Sequence, residues 1–410
     1  MPNFVDVHRF WRIHQLFSEC MNLYTTKVVL NYYLHFFDAG ILIVSNRKDI
    51  QKEKINAQNS NQFKASKLSA NTSLQFPSGV RLIININESL IAVCVLGLAI
   101  IVDWIIGDPP PPPWKSTYYK LHPTVWMGNL TNALKPHFKN LNPKREKLNG
   151  VLLALAVILA FTLPVYFGLK FIFTYIGVLV YIFVAALILK LTICIKLETD
   201  WGKAAAKAIE SGDLKEARRY AHFSRRDNKD LTGPQIVSSV IESITENLTD
   251  FRLSPIIYYT FFGVPGAVAF RAINTLDGMV GFKDPENIHI GWFSATIDTI
   301  VNYIPARLAT ILIVLASAIL GEDYKNAWTI ARRDQAKVPS LNHGWQMAAI
   351  AGALGVQLEK PGHYIIGDQI EELTSNKIIR TLKIRNVALI LCILLMLPIL
   401  LLINLFLFPF

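Results

Sequence analysis

This chain contains four long apolar runs, at residues 89–106, 151–169, 171–195 and 387–408, and they leave few folds open to it. A helix needs about 20 consecutive apolar residues to cross the hydrocarbon core of a bilayer. The composition agrees, because 52% of the 410 residues are hydrophobic and only 17% are charged, against roughly 25% charged residues in soluble proteins. The sequence therefore predicts a polytopic membrane protein and excludes a disordered chain.

Cysteine usage and charge exclude further classes of protein. The four cysteines never form a CxxC pair, which argues against a disulfide scaffold, a zinc ribbon and a thioredoxin-type site. The formal net charge of +11 fits either basic cytoplasmic loops or a site for anionic substrates. Because the basic residues are dispersed rather than gathered in one stripe, we predict no nucleic-acid partner. We expect membrane lipid to surround the protein.

The chain divides into three parts by composition. We predict a poorly ordered N-terminal extension over 1–85, because residues 46–76 are rich in Asn, Lys, Gln and Ser without apolar periodicity. A membrane domain over 86–385 comes next, with a soluble helical insert at 196–250. The chain then ends in a transmembrane helix at 386–410.

Two shorter apolar stretches leave the topology open. Residues 253–270 contain two prolines, and residues 308–320 are shorter than the ~17 residues that a spanning helix needs. The loops 107–149 and 321–385 are basic and should be cytoplasmic, so either both stretches cross the membrane or neither does. We expect neither, and predict re-entrant or amphipathic helices. Sustained period-2 alternation is absent. The predicted fold class is all-α, with about four transmembrane helices.

Three carboxylates spaced four residues apart point to a metal site. Glu242, Glu246 and Asp250 share one helix face, beside Asn247. Like charges at this spacing repel unless a cation lies opposite them. Oxygen ligands are those that Mg²⁺ prefers, usually with substrate phosphates in the same shell. The alternative is a solvated acidic face, but the apolar stretch directly after it places these residues near the membrane boundary.

Two later motifs combine Arg, Asn and Asp within apolar sequence. Polar groups are costly there and usually mark a functional site or a buried pair. An Arg buried among apolar neighbours needs an anionic partner, so packing of one helix on another is the alternative for both motifs. Their members are Arg271, Asn274 and Asp277 in the first, and Asp298, Asn302 and Arg307 in the second.

Two further motifs carry weaker signals. His122 is held extended by Pro123 and could act as a base or a phosphate contact, although a lone His is more often neither. Arg225 and Arg226 suit a phosphate or carboxylate, or simply a helix C-terminus. The usual phosphate-loop, dinucleotide, zinc-protease and serine-hydrolase signatures are missing from the sequence. Spacing alone thus indicates a site at membrane depth or at the membrane surface, suited to Mg²⁺ and phosphate.

Taken in order, these motifs resemble the CbiB/CobD family, the adenosylcobinamide-phosphate synthases of cobalamin biosynthesis. The resemblance covers about residues 88–385 and is carried by the combination rather than by any single motif. The blocks are Asp103, Gly107-Asp108-Pro109, His122-Pro123, Ser224-Arg225-Arg226-Asp227, Glu242 to Asp250, Arg271 to Asp277, Asp298 to Arg307, and Pro339-Ser340-Leu341-Asn342.

The resemblance implies a reaction. Family members join adenosylcobyric acid to aminopropanol, or to its phosphate, through an amide at one propionate of the corrin ring. ATP activates the carboxylate as an acyl phosphate. We therefore expect a multi-pass protein of the cell membrane with its active site on the cytoplasmic side, where ATP is present. Contact with other enzymes that handle corrinoids is a further expectation.

The resemblance also suggests roles for individual residues. Catalytic roles fall to Glu242, Glu246, Asp250, His122 and Asp277. Substrate and phosphate binding falls to Arg225, Arg226, Asn247, Arg271, Asn274, Asn302, Arg307 and Asn342. The Mg²⁺ ligands would be Glu242, Glu246, Asp250 and Asp298.

Two other interpretations come from different classes of protein. AmpE-like membrane proteins are distant, non-enzymatic relatives with similar architecture, and they would be expected to lack most of the polar motifs. Membrane prenyltransferases also place Mg²⁺-binding carboxylates on helices, but they usually need two Asp-rich motifs. The second motif in this chain is Arg-Asn-Asp, which counts against a prenyltransferase.

Overall fold

The computed structural model describes residues 73–75, 81–83, 86–110, 117–221 and 230–406, all within one compact unit, Ala70–Phe410. Most of the predicted extension 1–85 lies outside the described residues, and so do Arg225 and Arg226. The described residues are mainly helical, with two short two-stranded hairpins. The all-α prediction is thereby confirmed.

The elements succeed one another as helices joined by short connections. The antiparallel strands β1 and β2 are Ser73–Gln75 and Arg81–Ile83, and β3 and β4 are Leu358–Lys360 and Tyr364–Ile366. The helices are α1 Ile86–Ile106, α2 Pro123–Phe138, α3 Pro143–Phe171, α4 Val178–Lys190, α5 Lys196–Glu210, α6 Leu214–Tyr220, α7 Gly233–Leu248, α8 Ser254–Val280, α9 Trp292–Val301, α10 Tyr303–Leu320, α11 Tyr324–Asp334, α12 His343–Leu354 and α13 Ser375–Phe406. Two π-helical turns, Ile172–Ile176 and Thr249–Leu253, come directly after α3 and α7.

Five segments of the described chain are long and apolar enough to cross a membrane. They are Glu88–Ile106, Pro143–Ile176, Gly233–Val280, Tyr303–Leu320 and Ser375–Asn404. The prediction that 171–195 forms one spanning helix is wrong, because the chain leaves the helix at Gly177, whose φ of 133° is accessible mainly to glycine. The 13-residue α4 begins after that glycine.

Helix α8 folds back on itself at Gly263. This residue has φ 65° and ψ −165°, and Pro265 just beyond it lacks an N–H for the helical ladder. The two arms then pack together, with the rings of Tyr258 and Phe270 stacked 5.1 Å apart at 12°. The chain therefore forms the hairpin that the re-entrant form predicted for 253–270 requires, while its position relative to a membrane stays a prediction. The stretch 308–320 belongs to the 18-residue helix α10, which is long enough to span.

The two arms of α8 approach closely at Gly266. A Cβ atom there would lie 2.7 Å from the carbonyl oxygen of Tyr258. We expect Gly266→Ala to destabilise the fold by about 1–3 kcal/mol, the usual cost of overpacking, and to lower the melting temperature of the purified protein. Gly168→Ala in α3 is the matched control, because a Cβ at Gly168 meets nothing within 4 Å. Equal melting temperatures for the two variants would contradict the close approach.

Helix α7 belongs to the core rather than to an exposed insert. The sequence predicted a soluble helical segment over 196–250. The second helix of that segment, α6, is capped by Asp213, which accepts a hydrogen bond from the backbone N–H of Glu216 at 2.9 Å. In α7, however, Ile236, Ile241 and Ile244 are buried in the main hydrophobic cluster. The polar side chains of α7 therefore face the protein interior, where they can contact other helices rather than water.

Candidate functional site

Motifs far apart in the sequence meet around the carboxylate of Asp298. Asn302 donates from Nδ2 to both carboxylate oxygens of Asp298 at 3.3 Å, and Asn274 donates to Oδ1 at 3.4 Å. Ser254, at the start of α8, donates to Oδ1 of Asn302 at 2.7 Å. The structure thus brings α8 and α9 together at the residues that sequence analysis selected.

Local backbone geometry explains how this meeting arises. The π-helical turn Thr249–Leu253 interrupts the regular helix and carries Asp250 and Phe251. Because α8 reverses at Gly263, its later residues return to that turn, and the Arg271 guanidinium lies 4.0 Å from the ring centroid of Phe251. Such π-turns occur often at functional sites.

His343 joins this group and was missed by sequence analysis. Its Nε2 lies 3.4 Å from Oδ2 of Asp250. Burial alone would lower the pKa of His343, but the carboxylate of Asp250, with those of Glu246 and Asp298, raises it to about 10. His343 is therefore a cation at neutral pH. The sequence signal that could have identified His343 is its position directly after Asn342, a predicted binding residue.

We define the acid pocket as Glu246, Asp250, Asp277 and Asp298 together with His343. Burial raises the pKa of Asp298 to about 7, with further contributions from the negative charges of Asp250 and Asp277. Oδ1 of Asp250 is buried and forms no hydrogen bond with the described residues. The pocket therefore concentrates negative charge, and a cation or ammonium group would relieve it.

Glu242 does not point into the same space as Asp250. Its Oε1 accepts a hydrogen bond from Ser238 Oγ at 2.8 Å, and its Oε2 accepts one from the Tyr364 hydroxyl at 2.7 Å. Both contacts tie α7 to the β3–β4 hairpin, because Ser238 also accepts from the backbone N–H of Glu359 at 2.9 Å. The geometry gives Glu242 a role in holding the hairpin.

Asn247 likewise turns away from the acid pocket, towards a buried charge network. It donates to Oε1 of Glu198 at 2.8 Å. The other oxygen of Glu198 accepts from Arg252 and, at 2.9 Å, from Arg385. All three charged side chains are buried. This network links α5, the π-helical turn and α13, and sequence analysis missed Glu198 and Arg385 because they lie far apart in the chain.

A second charged cluster surrounds His122. Its Nδ1 accepts a hydrogen bond from the backbone N–H of Thr124 at 3.3 Å, which caps α2, and its Nε2 lies 3.5 Å from Oδ1 of Asp108. Nδ1 is therefore occupied, whereas the buried Nε2 forms no hydrogen bond with the described residues, so the role of His122 as a base stays a prediction. Lys190, which sequence analysis missed, contacts Asp108 and lies 3.5 Å from Asp103.

Asp108 is charged in this cluster. Burial would raise the pKa of Asp108, but contact with His122 and the positive charge of Lys190 hold it below its ordinary value. Lys190 also donates to the carbonyl oxygen of Gly107 at 2.7 Å. The Gly-Asp-Pro motif is therefore held by a buried lysine from α4 rather than by its own neighbours.

Arg307 and Asn342 meet at the edge of the acid pocket. Nη1 of Arg307 donates to Oδ1 of Asn342 at 2.6 Å, and the amide nitrogen of Asn342 donates to the carbonyl oxygen of Thr299 at 2.9 Å. Asn342 thus ties α9 to α10. The pairing places the two predicted binding residues side by side.

The residues of the acid pocket fit a Mg²⁺ ion that is held partly by the protein and partly by substrate. In the described part of the chain, no group of three or more His, Cys, Asp and Glu side chains is arranged to hold a metal ion, and Glu242 is engaged elsewhere. Asp250 and Asp298 remain as carboxylate donors. Mg²⁺ commonly uses one or two carboxylates, with water and substrate phosphates supplying the rest. The residues present are compatible with that pattern.

Comparison with known proteins gives a consistent result. The model of the CobD/Cbib protein family matches residues 96–392. A probable cobalamin biosynthesis protein CobD from Methanothermobacter thermautotrophicus is 38% identical over 300 residues, which is 73% of this chain and 95% of that protein. A cobalamin biosynthesis protein CobD from Dehalococcoides mccartyi is 33% identical over 293 residues, which is 70% of this chain and 91% of that protein. No solved structure matches.

Proposed function

We propose a ligase reaction from the premise that this chain belongs to the CobD/CbiB family of cobalamin biosynthesis proteins. The acid pocket joins the propionate carboxylate of (adenosyl)cobyric acid to aminopropanol or aminopropanol phosphate, with ATP as the activating substrate. The product is cobinamide or cobinamide phosphate. The observation that carries this proposal is the meeting of Asp250, Asp298 and His343, from three separate segments, beside Arg271 and Asn274.

The chemistry requires activation, because a carboxylate does not condense with an amine unaided at neutral pH. A propionate oxygen attacks the terminal phosphorus of ATP and ADP leaves, which forms an acyl phosphate. The amine nitrogen then attacks the acyl carbon, and inorganic phosphate leaves. The ammonium group must lose protons for this attack, so the reaction needs a proton acceptor next to the bound amine.

The acid pocket offers residues for each of these needs. Glu246 can attract the ammonium group and accept its proton. Arg271 is stacked on Phe251, and no carboxylate in the described residues lies within 4.0 Å of its guanidinium, so its charge is available to a phosphate. A magnesium ion bound by Asp250 and Asp298 would neutralise phosphate charge when present. His343 keeps Asp250 in place.

The proposal also includes the side of the membrane on which the acid pocket lies. With five candidate membrane-spanning segments, the chain is a multi-pass membrane protein. We place the acid pocket on the cytoplasmic side, because ATP is available there and the flanking loops are basic.

The test is direct product formation by the full chain in lipid nanodiscs. Cobyric acid, aminopropanol or its phosphate, ATP and Mg²⁺ are combined, and products are identified by mass spectrometry. We expect a corrinoid amide and ADP only when ATP is present. EDTA should abolish the reaction, and Mg²⁺ but not Ca²⁺ should restore it, because Mg²⁺ demands tighter octahedral geometry.

Other outcomes separate the alternatives. Amide formation without ATP, or unaffected by EDTA, would contradict the proposed ligase mechanism. An isoprenoid product would favour the prenyltransferase interpretation. No product from either substrate class, with folded protein in the nanodiscs, would favour the AmpE-like interpretation.

A further inference from the structure

Large exposed side chains lie beside the acid pocket and have no role in the proposed amide-forming chemistry. Tyr303 is 49% exposed and Leu341 is 66% exposed. Between them lies Arg307, whose guanidinium is 3.7 Å from the ring centroid of Tyr303 and 5.7 Å from that of Trp345. We call these four residues the shelf. Tyr303 begins the candidate membrane span Tyr303–Leu320, where lipid can cover exposed apolar side chains, so Arg307 is the feature of the shelf that points to a ligand.

Arg307 is held so that two N–H donors of its guanidinium remain available. Of its five N–H donors, the two on Nη1 meet the Tyr303 carbonyl at 3.1 Å and Oδ1 of Asn342 at 2.6 Å, and one on Nη2 meets the Leu341 carbonyl at 3.1 Å. The remaining donors are Nε–H and the second Nη2–H. Each of them can donate to an anionic ligand, and hydrogen bonds from a guanidinium to a carboxylate are charge-assisted.

Two separate segments of the chain connect the shelf to the acid pocket. In the first, Asn302 bonds Asp298 in the pocket, and the next residue, Tyr303, lies on the shelf. In the second, His343 lies by Asp250, while Leu341 two residues earlier lies on the shelf. A ligand that covers the shelf is therefore next to the acid pocket.

We infer that the shelf binds the face of the corrin macrocycle, with Arg307 pairing with the carboxylate on its rim. This inference rests on the proposed function and assigns one part of that site to one of its substrates. The charges are complementary, because Arg307 has no carboxylate partner within 4.0 Å in the described residues and cobyric acid carries a propionate. Aromatic and aliphatic side chains surround the guanidinium, which suits a large flat ring.

Equilibrium binding of two corrinoids tests the inference without requiring catalysis. Cobyric acid carries the free carboxylate, whereas cobinamide carries an amide in its place. For Arg307→Gln in lipid nanodiscs, we expect the Kd of cobyric acid to rise about 10- to 100-fold, the range for loss of a charge-assisted hydrogen-bonded pair. The Kd of cobinamide should change less than about twofold, as should that of ATP. Arg307→Lys should fall between, because Lys cannot pair bidentately.

Two further variants complete the design. Tyr303→Ala should weaken both corrinoids alike, by about 2- to 10-fold, because it removes ring contact rather than charge. Its melting temperature is measured alongside, and a match to the wild type shows that the fold is kept. Arg332→Gln, at an exposed arginine of α11, is the matched control and should leave every Kd unchanged.

The outcomes separate this inference from the proposed reaction. An unchanged Kd for cobyric acid in both Arg307 variants would overturn the inference, even if the wild type forms the amide. Weakened ATP binding with unchanged corrinoid binding would assign the shelf to the nucleotide and would also overturn it. If the wild type binds cobyric acid through Arg307 but forms no amide, the proposed reaction fails and the shelf assignment stands.

Discussion

Asp298→Asn is expected to lower the rate of amide formation by about 100- to 1,000-fold while the protein stays folded in the membrane. Loss of one preorganised charged group at a reacting centre typically has an effect of this size. Asn has nearly the same shape as Asp, so the contacts with Asn274 and Asn302 can largely be kept, and the change removes mainly the negative charge. The measurement is kcat from quantified corrinoid product.

The matched control is Asp200→Asn on α5. Asp200 pairs with Lys196 at 2.7 Å and its side chain is 53% exposed, so the change should alter kcat less than about twofold. A second readout is pH. Because the pKa of Asp298 is raised to about 7, the carboxyl is neutral below that pH and charged above it. Wild-type activity should therefore rise as the pH increases through about 7. Retention of half the wild-type rate in Asp298→Asn would exclude its charge from the mechanism.

Glu198→Gln is expected to destabilise the fold by about 3–5 kcal/mol, because it leaves two buried guanidinium groups without a counter-charge. The side chains of Arg252 and Arg385 are 0% and 2% exposed, and Glu198 is their common partner. The change should lower the melting temperature of the detergent-solubilised protein and reduce the fraction that elutes as a single species in size-exclusion chromatography.

Glu216→Gln is the control for this second prediction. Glu216 forms an ion pair with Arg219 on the surface of α6 at 2.7 Å, and loss of a surface pair costs at most about 1 kcal/mol. The two variants carry the same chemical change, so a difference in melting temperature reports on the buried network rather than on the loss of a carboxylate in general. A Glu198→Gln protein as stable as Glu216→Gln would show that the buried network does not hold α5 and α13 together.

Several site residues could be predicted because the sequence makes them conspicuous. Asn274, Asp298 and Asn302 are polar residues in apolar surroundings, where they are costly unless they have partners. Asp250 stands out in the sequence because it comes directly before an apolar stretch. The CbiB/CobD resemblance is confirmed by the family match, although the individual roles of these residues remain predictions.

The acidic stripe shows where periodicity alone was insufficient. Regular helical spacing places Glu242, Glu246 and Asp250 on one face. Regular α-helical geometry ends at Leu248, and Asp250 lies within the π-helical turn Thr249–Leu253. Asp250 therefore turns towards His343, whereas Glu242 turns towards Tyr364. The spacing of the residues in the sequence does not predict such a turn.

The sequence by itself determined the class of this protein, since a chain with so little charge and such long apolar runs can bury its surface only as helices in a membrane. It also determined which polar residues needed partners. Only the tertiary structure decided which residues are those partners. Lys190, Glu198 and His343 act through contacts with residues that are distant in the chain. Such contacts depend on the reversal at Gly263 and on how the helices pack, and neither can be obtained from local propensity.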